Sequence, residues 1–199
     1  MTNVAIIYYS ATGNLHSMAQ RLEQAAVGHG AEVRRRQVPE IAPREAIEGN
    51  PDWAEHVERT ADEPRATPDD AAWADVVLFG SPTRFGNVTS QFQQYVDTLG
   101  PLWAEGGLVD KVFAGFTSSQ TKHGGQESTL LSIYRMVCHF GGILVAPGYT
   151  DPLKFADGNP YGVSHVSGPQ SDWEPGDDVL AALDHLAVRT IDVSRRLTG

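Results

Sequence analysis

Three short polar segments of this chain carry the residue types needed to hold an anionic, planar ligand. The first is Ser10-Ala11-Thr12-Gly13-Asn14, with Leu15 behind it. It offers two hydroxyls, a run of backbone N–H groups and a glycine that lets the chain approach a ligand closely. Consecutive amides at a helix start attract phosphate, and each hydrogen bond to a charged group is worth roughly 1.5–3 kcal/mol. The segment has neither the G-x-G-x-x-G of a dinucleotide fingerprint nor the G-K-[S/T] of a Walker loop. With no Lys or Arg of its own, it suits a monophosphate held by hydroxyls and amides. Taken alone, it also fits an ordinary helix cap. The second segment, Ser81-Pro82-Thr83-Arg84-Phe85-Gly86-Asn87, combines amides for the polar edge of a ring, an aromatic side chain to shape a pocket, and a cation. The third, Thr117-Ser118-Ser119-Gln120-Thr121-Lys122-His123-Gly124-Gly125-Gln126, is long, polar and glycine-bearing, and can bend around a planar ligand.

Regular elements must aim these segments. Val4 to Tyr9 is a nearly continuous apolar run bounded by turn residues, the pattern of a strand buried on both faces. Leu15, Met18, Ala19, Leu22 and Ala26 recur at helical spacing, and Gly28 and Gly30 end that helix. Glu32 to Val38 reads as a second, amphipathic strand. Val76–Gly80, Val112–Phe116 and Ile143–Ala146 read as the third, fourth and fifth strands. Val88–Leu99, Gln126–Phe140 and Val179–Leu197 read as helices. Residues 39–72 form a polar, proline-rich excursion with a short helix around Trp53 to Arg59. Residues 147–175 form a second excursion, rich in Gly, Pro and Asp. The alternation predicts one α/β domain over residues 1–199, a doubly wound five-stranded parallel sheet with helices on both faces. In such sheets ligands bind at the carboxyl ends of the strands, where all three polar segments fall.

Composition narrows the functions. The 199 residues are 41% hydrophobic and 20% charged, enough for one core. Twenty-five acidic against 15 basic residues give a net charge of −10, without the footprint of a nucleic-acid binder. Arg34-Arg35-Arg36 reads as the solvated end of a strand. The N-terminus lacks a basic n-region followed by a long apolar h-region. No stretch approaches the roughly 18 apolar residues needed to cross a bilayer, so no membrane insertion is expected and cytoplasm is the default compartment. The single cysteine, Cys138, excludes an intrachain disulfide and is expected to be a small core residue. His16, His29 and His56 show no metal-ligand spacing, and no metal is expected.

Together, S-x-T-G-N after the first strand, S-P-T-R-F-G-N after the third and S-S-x-T-x-x-G-G-Q-E after the fourth resemble the WrbA-type NAD(P)H:quinone oxidoreductases, a flavodoxin-like group that binds FMN. Leu102-Trp103-Ala104, Pro147-Gly148-Tyr149 and Asn159-Pro160-Tyr161-Gly162 extend the resemblance over nearly the whole chain. It implies a flavodoxin-like fold with FMN as cofactor. The phosphate would fall on Ser10 to Leu15, the ring edge on Thr83, Arg84 and Phe85, and further contacts on Thr117 to Gly124. Pro82, Gly86, Asn87 and Gly125 complete the cofactor loops. The resemblance places His139 facing the flavin, with His139 and Arg84 steadying charge during catalysis, and Trp103 as an aromatic wall of the substrate site. Thr12 stands where the family usually has an aromatic residue near the nicotinamide site. Lys122-His123 make the third loop one residue longer than the family form. The resemblance also implies a homotetramer with flavin sites built partly by neighbouring subunits.

The activity implied is two-electron, ping-pong reduction of a quinone to a quinol at the expense of NAD(P)H. The alternative is a flavodoxin-like FMN electron carrier without NAD(P)H turnover, which the acidic charge would suit. Nothing in the residues supports a non-redox regulatory binder.

Overall fold

The computed structural model describes residues 1–199. Its elements are β1 (Thr2–Tyr8), α1 (Asn14–Gly28), β2 (Ala31–Gln37), α2 (Arg44–Glu48), α3 (Pro51–Arg59), α4 (Pro68–Trp73), β3 (Val76–Gly80), α5 (Ser90–Thr98), α6 (Gly100–Ala104), β4 (Val112–Ser119), α7 (Gln126–Phe140), β5 (Ile143–Leu144), α8 (Lys154–Asp157), β6 (Val163–Val166) and α9 (Asp177–Thr198). The sheet is parallel throughout, in the order β2-β1-β3-β4-β5, with β6 also pairing to β4. The chain turns from one side of β1 to the other between β2 and β3. The switch point therefore lies between β1 and β3, where this class of sheet binds ligands.

The apolar strand runs arise because both faces of the sheet are covered. Val4, Ile6 and Tyr8 of β1 pack with Leu15 and Leu22 of α1 and Leu186 of α9. Ala5, Ile7 and Tyr9 point the other way, into a second core with Phe79, Phe92 and Ile133. The two-residue period of a strand thus feeds two separate cores, and together they clamp the strand ends that carry the site.

The doubly wound fold is as expected, but the sheet has six strands rather than five. The expected strand over 143–146 pairs only at Ile143 and Leu144. The chain then leaves the sheet and re-enters as β6, which pairs with Phe116 to Ser119. That partner extends β4 three residues beyond the apolar run, so Thr117, Ser118 and Ser119 are strand rather than loop. The short helices α2, α4, α6 and α8 were not anticipated, because four to six residues carry too little periodicity to register. Cys138, expected in the core, is exposed in the last turn of α7. No helix is long and apolar enough to cross a membrane.

Candidate functional site

The carboxyl ends of β1, β3 and β4 open onto a cleft of about 480 Å³, within the roughly 300–1,000 Å³ range of small-molecule sites. One wall is Ser10, Ala11, Thr12, Asn14 and Leu15. Pro82, Thr83, Arg84 and Phe85 form the second, and Ser118, Ser119, Gln120, Thr121 and Gly124 the third. Arg84 is the only charged residue lining it. No carboxylate faces this cleft, in a chain of net charge −10.

The first loop is built as a donor cradle. β1 ends at Tyr8, and Gly13 takes a left-handed φ of 108° as the N-cap of α1. Ser10 Oγ accepts from Gly13 N at 3.1 Å, which curls the loop. The N–H groups of Ala11, Thr12, Asn14 and Leu15 find no backbone acceptor, and α1 has no side-chain cap. Unspent amides at the positive end of a 15-residue helix are the donor set that a phosphate completes.

The second and third loops lock together. Arg84 N donates to Asn87 O at 2.8 Å and Asn87 N to Arg84 O at 3.0 Å. The two residues between them, Phe85 and Gly86, both have positive φ, 53° and 80°, which makes a tight two-residue turn. Thr83 N donates to Ser118 O at 2.9 Å, and Thr83 Oγ1 accepts from Gly86 N and Thr129 Oγ1. A Cβ on Gly125 would stand 2.8 Å from Gly86 Cα, so the loops touch backbone to backbone there. Gln126 Nε2 holds the third loop through the carbonyls of Thr121 and Lys122.

Several expected cofactor residues thus stand behind the cleft wall. Gly86 and Gly125 make the loop contact. Asn87 Oδ1 accepts from Val88 N and Ser132 Oγ. Thr117 is fully buried, its hydroxyl donating to Ser81 O at 2.7 Å. Gly13 faces an adjoining cavity, and Lys122 and His123 line a separate one. Phe85 lies at the rim with its ring fully in solvent instead of closing the pocket.

Four wall residues were not anticipated: Asn50, Trp53, Ser167 and Ser171. Asn50 caps α3 by accepting from Asp52 N and Trp53 N. Trp53 is held by Glu40, whose carboxylate accepts its indole N–H at 2.9 Å, the Tyr9 hydroxyl at 2.7 Å and the Gln91 amide at 2.7 Å. Burial alone would raise the Glu40 pKa, but these bonds and the Ala42 N–H outweigh it and hold it below the usual range. Burial, and then the bond to Glu40, push the Tyr9 hydroxyl up. The available signal was a lone tryptophan in a polar excursion. Ser171 is tied to the first loop by Asn14 Nδ2 at 2.8 Å and to the third by Gln120 Nε2 at 3.2 Å.

His139 and Trp103 lie elsewhere. α7 starts at the cleft with Gln126, and His139 is 13 residues along it, about 20 Å away at 1.5 Å per residue. Trp103 is half-exposed beside it, its Nε1 donating to His139 O at 2.8 Å. The two expected groups share a surface, but neither lines the cleft.

Residues 2–150 match the family model described as NADPH-dependent FMN reductase. The chain belongs to this family. A Deinococcus radiodurans protein named NAD(P)H dehydrogenase (quinone) is 42% identical to this flavin-reductase family member, over 98% of this chain and 97% of that one. A Geobacter sulfurreducens protein of the same name is 37% identical over 99% and 100% of the two chains. In fold, the chain is similar to a flavodoxin, WrbA-like protein from Agrobacterium tumefaciens, with a TM-score of 0.69, 22% identity and coverage of 98% and 99%. It is also similar to an archaeal flavodoxin, with a TM-score of 0.62, 14% identity and 99% coverage of both chains. The resemblance drawn from the three polar segments is borne out at the level of family and fold.

Proposed function

We propose that this chain reduces quinones with electrons from NAD(P)H, using non-covalently held FMN. One observation carries the reading: the switch-point cleft joins unspent loop amides to a wall free of carboxylates. In an acidic chain, such a cleft suits an anionic ligand. The donor set fits FMN. Ser10, Thr12 and the loop amides would hold the phosphate; Pro82 to Phe85 and Ser118 to Gly124 would border the ring, with Trp53 at one side. Bound FMN supplies a ring that takes two electrons from a reduced nicotinamide and yields them to a quinone.

The protein's own part is orientation and electrostatics. Arg84 is fixed at the cleft rim by the Phe85-Gly86 turn, and its Nη1 donates to Thr83 O at 2.9 Å. A cation held in place needs no reorganisation when negative charge grows nearby. We assign His139 a charge-steadying role and Trp103 a place in the substrate wall. Because both lie about 20 Å from their own cleft, another copy must bring them to it. That distance supports sites shared between copies, and the family resemblance makes the assembly a homotetramer. Cytoplasm, where NAD(P)H is abundant, is the location that goes with this reading.

The test is steady-state turnover of FMN-loaded protein with benzoquinone, using NADH and then NADPH. Sustained quinol formation supports the proposal. Bound FMN with no nicotinamide oxidation transfers the reading to an electron carrier.

A further inference from the structure

Gly13 faces a second cavity, of about 640 Å³, that shares Thr12, Asn14 and Ser171 with the flavin cleft. α3 carries Arg59 into it. A Cβ on Gly13 would stand 3.2 Å from Arg59 Nη2 and 3.7 Å from His56 Nδ1. The guanidinium therefore lies against the backbone of the phosphate loop. Asp52, Glu55, Glu63, Asp172 and Glu174 also line the cavity, and Arg59 is its one Lys or Arg. Glu63 is committed to Arg35 at 3.1 Å, and the side-chain partner of Arg59 is an imidazole, its Nη2 donating to His56 Nδ1 at 3.3 Å.

That contact fixes the state of His56. A guanidinium has only donors, so the nitrogen facing it must carry no proton. His56 is buried, and burial first, then His16 and Arg59, push its pKa down to about 4. Its proton is then on Nε2, which lies 3.5 Å from the Gln37 amide nitrogen, while the buried Gln37 Oε1 has no partner. Turning the Gln37 amide over pairs its oxygen with His56, Nε2–H donating to Oε1. Arg59 then donates to His56 and His56 to Gln37, one chain that anchors the guanidinium beside Gly13 to the core. His16 packs edge-on against His56 with ring centres 5.5 Å apart, and is itself bonded to the Tyr8 hydroxyl at 2.7 Å.

We propose that Arg59 is a phosphate-recognition residue for FMN, supplying from α3 the positive charge that Ser10 to Leu15 lack. The inference rests on the flavin reading above. An arginine fork matches phosphate oxygens and donates in pairs. It is also the one Lys or Arg among the cavity's carboxylates, and so places positive charge beside the loop where their repulsion of a dianion must be countered. His56 is the positioning residue: its neutral ring gives the guanidinium a partner without cancelling its charge.

The experiment compares FMN with riboflavin, which lacks the phosphate. Flavin-free full-length protein is titrated with each, following quenching of flavin fluorescence, for wild type, Arg59→Gln and Arg59→Lys. Arg59→Gln is expected to weaken FMN binding about tenfold, the effect of one charged hydrogen bond at a partly exposed position. Riboflavin binding should not change, and Arg59→Lys should recover part of the loss. Wild-type FMN affinity in Arg59→Gln, or equal weakening of both flavins, overturns the assignment. A wild type that binds neither flavin overturns the flavin reading and this inference with it.

Discussion

The indole nitrogen of Trp103 donates to the backbone carbonyl of His139 across 2.8 Å, tying α6 to the last turn of α7. The bond fixes both groups on one surface, at the far end of the helix from Arg84. If that surface completes the cleft of another copy, the two halves of the site can be damaged in different subunits. His139→Ala is expected to lower quinone kcat/KM at least about tenfold, as for loss of one oriented charge-stabilising group, with FMN affinity nearly unchanged. Arg84→Ala should also be impaired. Co-refolding the two variants should give more activity than either alone. Additive residual activities would place both groups within one protomer's function.

Gly125 has a φ of 94°, and any Cβ there would meet the Gly86 backbone at 2.8 Å. Gly125→Ala must strain its own backbone and push the second loop from the third. A loss of about 1–3 kcal/mol in unfolding free energy is expected, together with weaker FMN binding. Urea denaturation and flavin titration measure the two effects.

His56 makes stability depend on pH. Its folded pKa, about 4, lies below the ordinary value of 6.5, so between these values the unfolded chain binds more protons. The contribution is complete above about pH 6.5 and is lost as pH falls toward 4. From pH 7 to pH 5 the loss should be about 2 kcal/mol. His16, whose pKa burial also lowers, acts in the same direction. His56→Gln keeps the hydrogen bonds without the titration, so its urea midpoint should fall less over that range. Parallel profiles would contradict the neutral-histidine assignment.

These features differ in how far the sequence announces them. β3 and α7 fall on Val76–Gly80 and Gln126–Phe140 as their apolar pattern predicts, because each buries a continuous stretch. β6 is invisible because its four residues pair through backbone with the end of β4, which no side-chain period records. Trp53 and Arg59 were legible as one short helix, but their site roles depend on where α3 lands, and Glu40 and His56 decide that. The resemblance named His139 and Trp103, but helix length is what puts them out of reach of their own cleft.

Lys154 and Asp157 form a buried ion pair at 2.6 Å, both side chains almost fully shielded, and Asp157 Oδ1 has no partner. Burial lowers the ammonium pKa and raises that of the carboxyl, against their mutual attraction. Asp157→Ala leaves a lone buried ammonium and should cost about 3–5 kcal/mol, whereas replacing both by apolar residues should cost far less. Thermal unfolding of the single and double variants tests this; equal losses would contradict it.

The most direct test of the central claim follows FMN-loaded protein without air, mixed first with NADH or NADPH and then with benzoquinone. The account predicts rapid bleaching of the oxidised flavin's yellow absorbance by at least one nicotinamide, and its return when the quinone is added. Bound FMN that neither nicotinamide bleaches would contradict it.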